Sequence, residues 1–175
     1  MLKRKLKKTE MNKVFLGLGT NVGDRKNNLK RTVAKFSKNK DFTNIKISPV
    51  YETIPYGEIE QENFFNAVLF LETHYSLDEL FVFTKNLEKE IGRKKTKTWG
   101  PRVIDIDILL YNDLIYKDKK INIPHKDLLN RDFVLVPLLD IDKEIVHPVE
   151  KKEIKQFLSK LTDQYIVKKI SMVFN

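Results

Sequence analysis

The sequence contains no cysteine, a single tryptophan, three histidines, and only six glycines and six prolines in 175 residues. Without cysteine there are no disulfides and no thiolate metal sites, which suits a reducing compartment. The longest purely apolar run, around residues 133–139, is about seven residues, far below the ~20 needed to span a bilayer. No membrane association is expected, and a cytoplasmic location is. There are no repeats, no low-complexity tract and no convincing linker, and a hydrophobic content of 41% argues against general disorder. One domain with a real core follows. No G-x-x-x-x-G-K-[ST] phosphate loop occurs. Gly17, Gly19 and Gly23 only approximate a dinucleotide fingerprint and read as a tight strand-to-helix turn.

What is abundant is positive charge, a formal +9. Lys3, Arg4, Lys5, Lys7, Lys8 and Lys13 face only Glu10, so more than half of the excess sits in a short basic head. Residues 1–10 read as a flexible basic extension, lacking the apolar stretch of a signal peptide, with Met11 as a natural start and 11–175 as the domain. The modest excess left over suits an anionic small substrate as well as a polynucleotide, although no nucleic-acid partner is expected of the chain as a whole.

The densest chemistry lies between Gly92 and Tyr111. A basic loop carrying Arg93, Lys94, Lys95, Lys97 and Arg102 around Trp99 leads through Gly100-Pro101 into Val103-Ile-Asp-Ile-Asp-Ile-Leu-Leu-Tyr111. In an extended strand successive side chains alternate faces, so Asp105 and Asp107 share one face and Ile104, Ile106 and Ile108 the other. Two neighbouring carboxylates match the habit of Mg²⁺, which takes one or two of them plus phosphate oxygens and water. The adjacent cations would neutralise charge shifting between phosphoryl groups.

The rest of the chain supplies a frame. Val14–Leu18 reads as a buried strand, and Asp24 as the N-cap of a helix carrying Leu29, Val33 and Phe36 to about Ser37. Ile45–Tyr51 and Phe64–Leu71 read as strands, joined by a long irregular connection through Pro55 and Gly57. Phe64 and Asn66 share a face at the start of the latter, one flat aromatic beside one amide. Ser76-Leu-Asp-Glu79 is a capping box, Leu77 to Ile91 an amphipathic helix, and Gly92 its end. Glu88, near that end, pairs with the loop cations or meets a ligand. Val134 to Ile141 reads as core, Ile154 to Leu161 as a terminal helix and Tyr165 to Ile170 as a last strand. This order predicts a ferredoxin-like α+β sandwich with an antiparallel sheet and an appended C-terminal helix and strand.

Together, Gly17-Leu-Gly-Thr-Asn-Val-Gly-Asp-Arg25, Tyr51-Glu-Thr-Ile-Pro-Tyr-Gly57, Gln61 with Phe64-Phe-Asn-Ala-Val68, Trp99-Gly-Pro-Arg102 with Asp105-Ile-Asp-Ile108, and Pro124-His125 with Asn130-Arg-Asp-Phe133 closely resemble the 6-hydroxymethyl-7,8-dihydropterin pyrophosphokinases of the folate pathway. The resemblance spans about residues 13 to 150 in unchanged order. It implies transfer of the β,γ-pyrophosphoryl group of ATP to the pterin hydroxymethyl oxygen, releasing AMP. Two Mg²⁺ ions on Asp105 and Asp107 are implied, with Arg93 and Arg102 catalytic beside them. ATP contacts are implied at Glu88, Arg93, Lys95, Trp99, Arg102, Ile108, His125 and Arg131. Pterin contacts are implied at Thr53, Ile54, Tyr56, Phe64, Asn66, Trp99 and Phe133. Lys95 and Thr98 stand where arginines are common, Lys85 where some members have glutamine, and Ile54 where proline is common.

The expectation is a monomer acting on the small molecules ATP and the hydroxymethyl pterin. Two rivals remain open at this point. One is another two-metal nucleotidyltransferase, which would release pyrophosphate; the other is an RNA-binding module on a four-stranded sheet, though it would lack the usual strand pattern of aromatics.

Overall fold

A computed structural model describes residues 10–57, 60–94 and 100–174. In chain order the elements are β1 (Asn12–Thr20), α1 (Arg25–Lys38), β2 (Phe42–Ile47), β3 (Val50–Thr53), β4 (Phe64–Thr73), α2 (Leu77–Ile91) and β5 (Asp105–Tyr111). There follow the short strands β6 (Tyr116–Lys117) and β7 (Asn122–Ile123), α3 (Asp132–Ile141), the single turn α4 (Lys155–Leu158) and β8 (Ile166–Ile170). The main sheet has the order β5-β1-β4-β3-β8, with β2 also pairing β4, and all pairs are antiparallel. This is the ferredoxin-like α+β sandwich that the element order predicts. Its appended C-terminal helix is reduced to one turn.

Local chemistry sets the helix limits. The Asp24 carboxylate accepts the Asn27 N–H at 2.9 Å, starting α1. Ser76 and Glu79 close a capping box on α2, and Gly92, with φ of 120°, ends it in a conformation a side chain would strain. One face of the sheet is covered by α1 and α2 over Leu16, Leu18, Leu29, Phe36, Leu69, Leu80 and Ile106. Side chains of this size contribute roughly 1.5–3 kcal/mol each on full burial. The opposite face is covered only in part, by α3, whose Leu135 and Leu138 pack with Val68, Leu109 and Leu128.

Two readings are refined. The strand expected over Ile45–Tyr51 is two strands broken at Ser48-Pro49, since proline has no N–H to give the ladder. Ser48 bridges the break: its N–H donates to Val68 O and its Oγ accepts the Val68 N–H, both at 2.9 Å. Core-like Val134 to Ile141 is most of α3, a helix that tolerates Pro137 and is too uniformly apolar to show a period.

Candidate active site

Gly17 and Gly19 of β1 stand directly opposite Asp107 and Asp105 of β5, and opposite Val68 and Asn66 of β4. The sheet therefore has two positions without side chains beside its paired carboxylates, on the face that α3 leaves partly open. A cavity of about 310 Å³ forms there. Gly17, Gly19, Asp105, Asp107, Asn66 and Phe64 make its floor, and Thr53, Ile54, Tyr56, Lys85, Arg93, Arg102, His125, Arg131 and Phe133 line its walls. A Cβ on Gly19 would lie 3.0 Å from Asn66 Oδ1, so this close approach requires glycine.

The cations are held in place by carboxylates. Arg93 and Arg102 each bond one oxygen of Asp105, and Arg93 also reaches Glu88 Oε1 at 2.7 Å. Burial would raise the Asp105 pKa, but Arg102 and then Arg93 outweigh it and hold the carboxyl below its ordinary value. Asp107 goes the other way, pushed up first by burial and then by the charge of Asp105. A divalent cation beside the two would remove that repulsion. Among the described residues no group of three His, Cys, Asp or Glu side chains could hold a metal. The donor set thus fits a hard ion that completes its shell with phosphate oxygens and water, as Mg²⁺ does.

On the far wall, the His125 N–H donates to Leu109 O at 2.9 Å, and its Nδ1 accepts the Asp127 N–H at 3.3 Å. Burial lowers the His125 pKa although Asp107 opposes the shift. Arg131 bonds Asp127 Oδ2 at 2.7 Å and lies over the Tyr56 ring at 4.5 Å. Its buried Nε has no hydrogen-bond partner among the described residues. Asn66 donates to Thr53 Oγ1 at 2.7 Å. Arg102 lies 5.4 Å over the Phe64 ring.

Paired carboxylates, flanking guanidiniums and aromatic walls around one amide thus share a single cavity. The family model described as 7,8-dihydro-6-hydroxymethylpterin-pyrophosphokinase (HPPK) matches residues 15–143. The chain belongs to that family. The Aquifex aeolicus 2-amino-4-hydroxy-6-hydroxymethyldihydropteridine pyrophosphokinase is 45% identical over 145 residues, covering 82% of this chain and 89% of the relative. The Bacillus subtilis protein of the same name is 34% identical, covering 83% and 87%. The Schizosaccharomyces pombe folic acid synthesis protein fol1 is 36% identical over 93% of this chain, which spans only 22% of that longer protein. The crystal structure of Plasmodium falciparum HPPK-DHPS with pteroate matches with a TM-score of 0.68 at 19% identity, over 86% of this chain and 42% of that one. That last likeness speaks for the fold alone.

Most residues singled out from the sequence of this HPPK-family chain converge. Thr53, Ile54, Tyr56, Phe64, Asn66, Arg93, Arg102, Asp105, Asp107, His125, Arg131 and Phe133 all line the cavity. Glu88 does not; it is buried, and its Oε1 accepts from Lys85 Nζ at 2.7 Å and from Ile106 N at 2.8 Å. Burial raises its pKa in spite of Lys85. Its place is behind Arg93 and Lys85, orienting both. The Ile108 side chain sits in the core on the helix side of the sheet. Lys95 and Trp99 lie outside the described residues.

Sequence reasoning gave no role to Asn21 or Asp127. Asn21 is buried and joins three segments: it exchanges backbone and side-chain bonds with Arg102, and its Nδ2 donates to Gln61 Oε1 and Glu62 O, both at 3.0 Å. An asparagine inside a glycine-rich turn carries no local signal of such a role, because its partners are 40 and 81 residues away.

Proposed function

We propose that this chain catalyses transfer of pyrophosphate from ATP to the hydroxymethyl group of 6-hydroxymethyl-7,8-dihydropterin, releasing AMP, with two Mg²⁺ ions at Asp105 and Asp107. The observation that carries the reading is the placing of those carboxylates opposite Gly17 and Gly19 in one cavity with Phe64, Asn66 and Phe133. Family membership supports pyrophosphoryl transfer to a pterin. The Aquifex and Bacillus relatives are named for that reaction class.

Asp105 and Asp107 would hold the metal, which supplies Lewis-acid stabilisation of the phosphoryl oxygens and lowers the pKa of a bound hydroxyl. Everything else falls to the chain itself. Arg93, Arg102 and Arg131 present guanidinium forks, the geometry that matches phosphate oxygens as charge moves from the attacked phosphorus to the leaving AMP. Arg131, with its unpartnered buried Nε, has donor capacity for such a ligand. The low pKa of His125 keeps its ring neutral near pH 7, so it acts as a hydrogen-bonding rather than a charged group. Phe64 and Phe133 offer flat faces to the pterin ring. The Asn66 side chain, fixed by its bond to Thr53, offers edge contacts.

The protein is placed in the cytoplasm and acts as a monomer in this reading. Among the described residues no helix is long and apolar enough to cross a membrane.

The test is incubation of the purified protein with ATP and Mg²⁺, with and without the pterin, followed by nucleotide analysis. Pterin-dependent AMP is the expected product. Release of ADP, or of pyrophosphate alone, overturns the reading.

A further inference from the structure

Residues 144–174 lie beyond the stretch matched by the family model, yet their chain returns to the active site. After α4 it runs to Tyr165 and enters β8 on the edge of the sheet beside β3. At the entry, the Tyr165 and Ile166 N–H groups both donate to Asp132 Oδ2, at 2.8 and 2.9 Å. The Tyr165 carbonyl accepts the Ile54 N–H at 2.9 Å. The same residue therefore ties together two segments 78 positions apart in number, 54 and 132, adding backbone bonds to the ring contacts between them.

Those segments carry Phe133, one of the two flat walls, and Tyr56, which packs edge-on against it. Ile54 leads to Tyr56, and Asp132, buried and also accepting the Phe133 N–H at 2.7 Å, leads to Phe133. The Tyr165 ring completes the link. Its centroid lies 5.3 Å from that of Tyr56 and 5.7 Å from that of Phe133, in a T-shaped arrangement with the latter. Tyr56 and Phe133 are themselves 6.5 Å apart. Tyr165 does not line the cavity; it stands behind the two rings that do.

We infer that Tyr165 is a positioning residue for the heterocycle half of the site: its ring sets the position and tilt of Phe133, and of Tyr56 beside it, and so the width of the slot that Phe133 forms with Phe64 for the flat substrate. Edge-to-face contacts at these distances are directional as well as apolar, so loss of the Tyr165 ring removes a support from Phe133 and Tyr56 alike. A ligand bound between aromatic faces is sensitive to displacements well under a ring thickness. The phosphate side is held by Glu88, Asp105 and Asp127 through Arg93, Arg102 and Arg131; Arg131 reaches the rings, over Tyr56 at 4.5 Å and over Phe133 at 5.7 Å, but is fixed independently by Asp127. The effect therefore falls first on the heterocycle half.

The inference rests on the proposed function, and the experiment separates the two. Steady-state kinetics are measured for the wild type, Tyr165→Ala, Tyr165→Phe and Val167→Ala, varying the pterin and ATP in turn. Wild-type protein without pterin-dependent AMP overturns both. With an active wild type, Tyr165→Ala raises the pterin KM about tenfold and leaves the ATP KM within about twofold. Tyr165→Phe restores the wild-type pterin KM, because the ring and backbone make the contacts. Val167→Ala, on an exposed position of the same strand, changes neither constant. If Tyr165→Ala does not fold, Tyr165→Leu keeps the apolar bulk without the ring and carries the same expectation. An unchanged pterin KM, or equal rises in both KM values, overturns the inference.

Discussion

Asn21 and Arg102 exchange two hydrogen bonds: the Asn21 N–H donates to Arg102 O at 3.0 Å, and the Arg102 N–H donates to Asn21 Oδ1 at 2.8 Å. A buried asparagine thus imitates a strand partner for one residue of the catalytic loop. Its remaining donors hold the connection through Gln61 and Glu62. Asn21→Ala keeps the backbone bond to Arg102 O but removes the acceptor of the Arg102 N–H and the donor to Gln61 and Glu62, a loss on the order of 1 kcal/mol or more, and lets Arg102 drift. The expected outcome is a lower melting temperature together with a kcat reduced roughly tenfold. Wild-type kcat in a folded variant would mean that Arg102 is held by other means.

Asp107→Ala removes a proposed metal ligand without touching the aromatic walls. Turnover should fall about 10³-fold or more, while pterin binding, read by fluorescence titration, stays largely intact. Residual activity within a few-fold of wild type would remove Asp107 from the metal assignment.

Arg102→Lys keeps the charge and loses the fork that bonds Asp105 while lying over Phe64. Lysine offers a point charge without the planar geometry. The loss should appear chiefly in kcat, at roughly 10²-fold; a change confined to the ATP KM would make the residue a binding group only.

Gly19→Ala places a Cβ 3.0 Å from Asn66 Oδ1. The amide has to shift from its bond with Thr53, so the pterin KM should rise by about tenfold or more with a smaller effect on ATP. Equal kinetics for variant and wild type would show that Asn66 moves without cost.

His147 offers a pH prediction away from the site. It is buried, its Nδ1 accepts the Glu150 N–H at 3.2 Å, and burial lowers its pKa from the ordinary 6.5, with Glu150 opposing. The unfolded chain therefore binds the proton more readily. Stability is fully present above about 6.5 and declines as pH falls through that value toward the depressed folded one. The urea midpoint should drop between about pH 7 and pH 5, and His147→Asn should flatten part of that slope. A midpoint that rises on acidification contradicts the assignment.

Much of this was legible before any coordinates. The Asp24 and Ser76 caps, the Gly92 stop and the alternation of Asp105 and Asp107 are local signals, and each lies where it was read. What escaped was non-local. Pairing with a loop cation was one of the two readings of Glu88, and it holds with Arg93, but its inward bonds to Lys85 and the Ile106 N–H have no local mark. Asn21 finds its partners only after the sheet has assembled. The helix α3 was hidden because a run apolar on every side has no face to show, and Pro137 argues locally against a helix. Tyr165 was legible as the start of a strand, but nothing in its neighbourhood points to Ile54 or Asp132.

The break at Ser48-Pro49 has a kinetic meaning. The Val68 amide, in the middle of the central sheet and on the cavity lining, is bonded to a side-chain oxygen and not to a peptide carbonyl. Its hydrogen exchange is therefore gated by rotation of one serine hydroxyl group as well as by opening of the strand. In Ser48→Ala that amide becomes a clock for local opening beneath the substrates, while its neighbours on β4 still report the stability of the sheet as a whole.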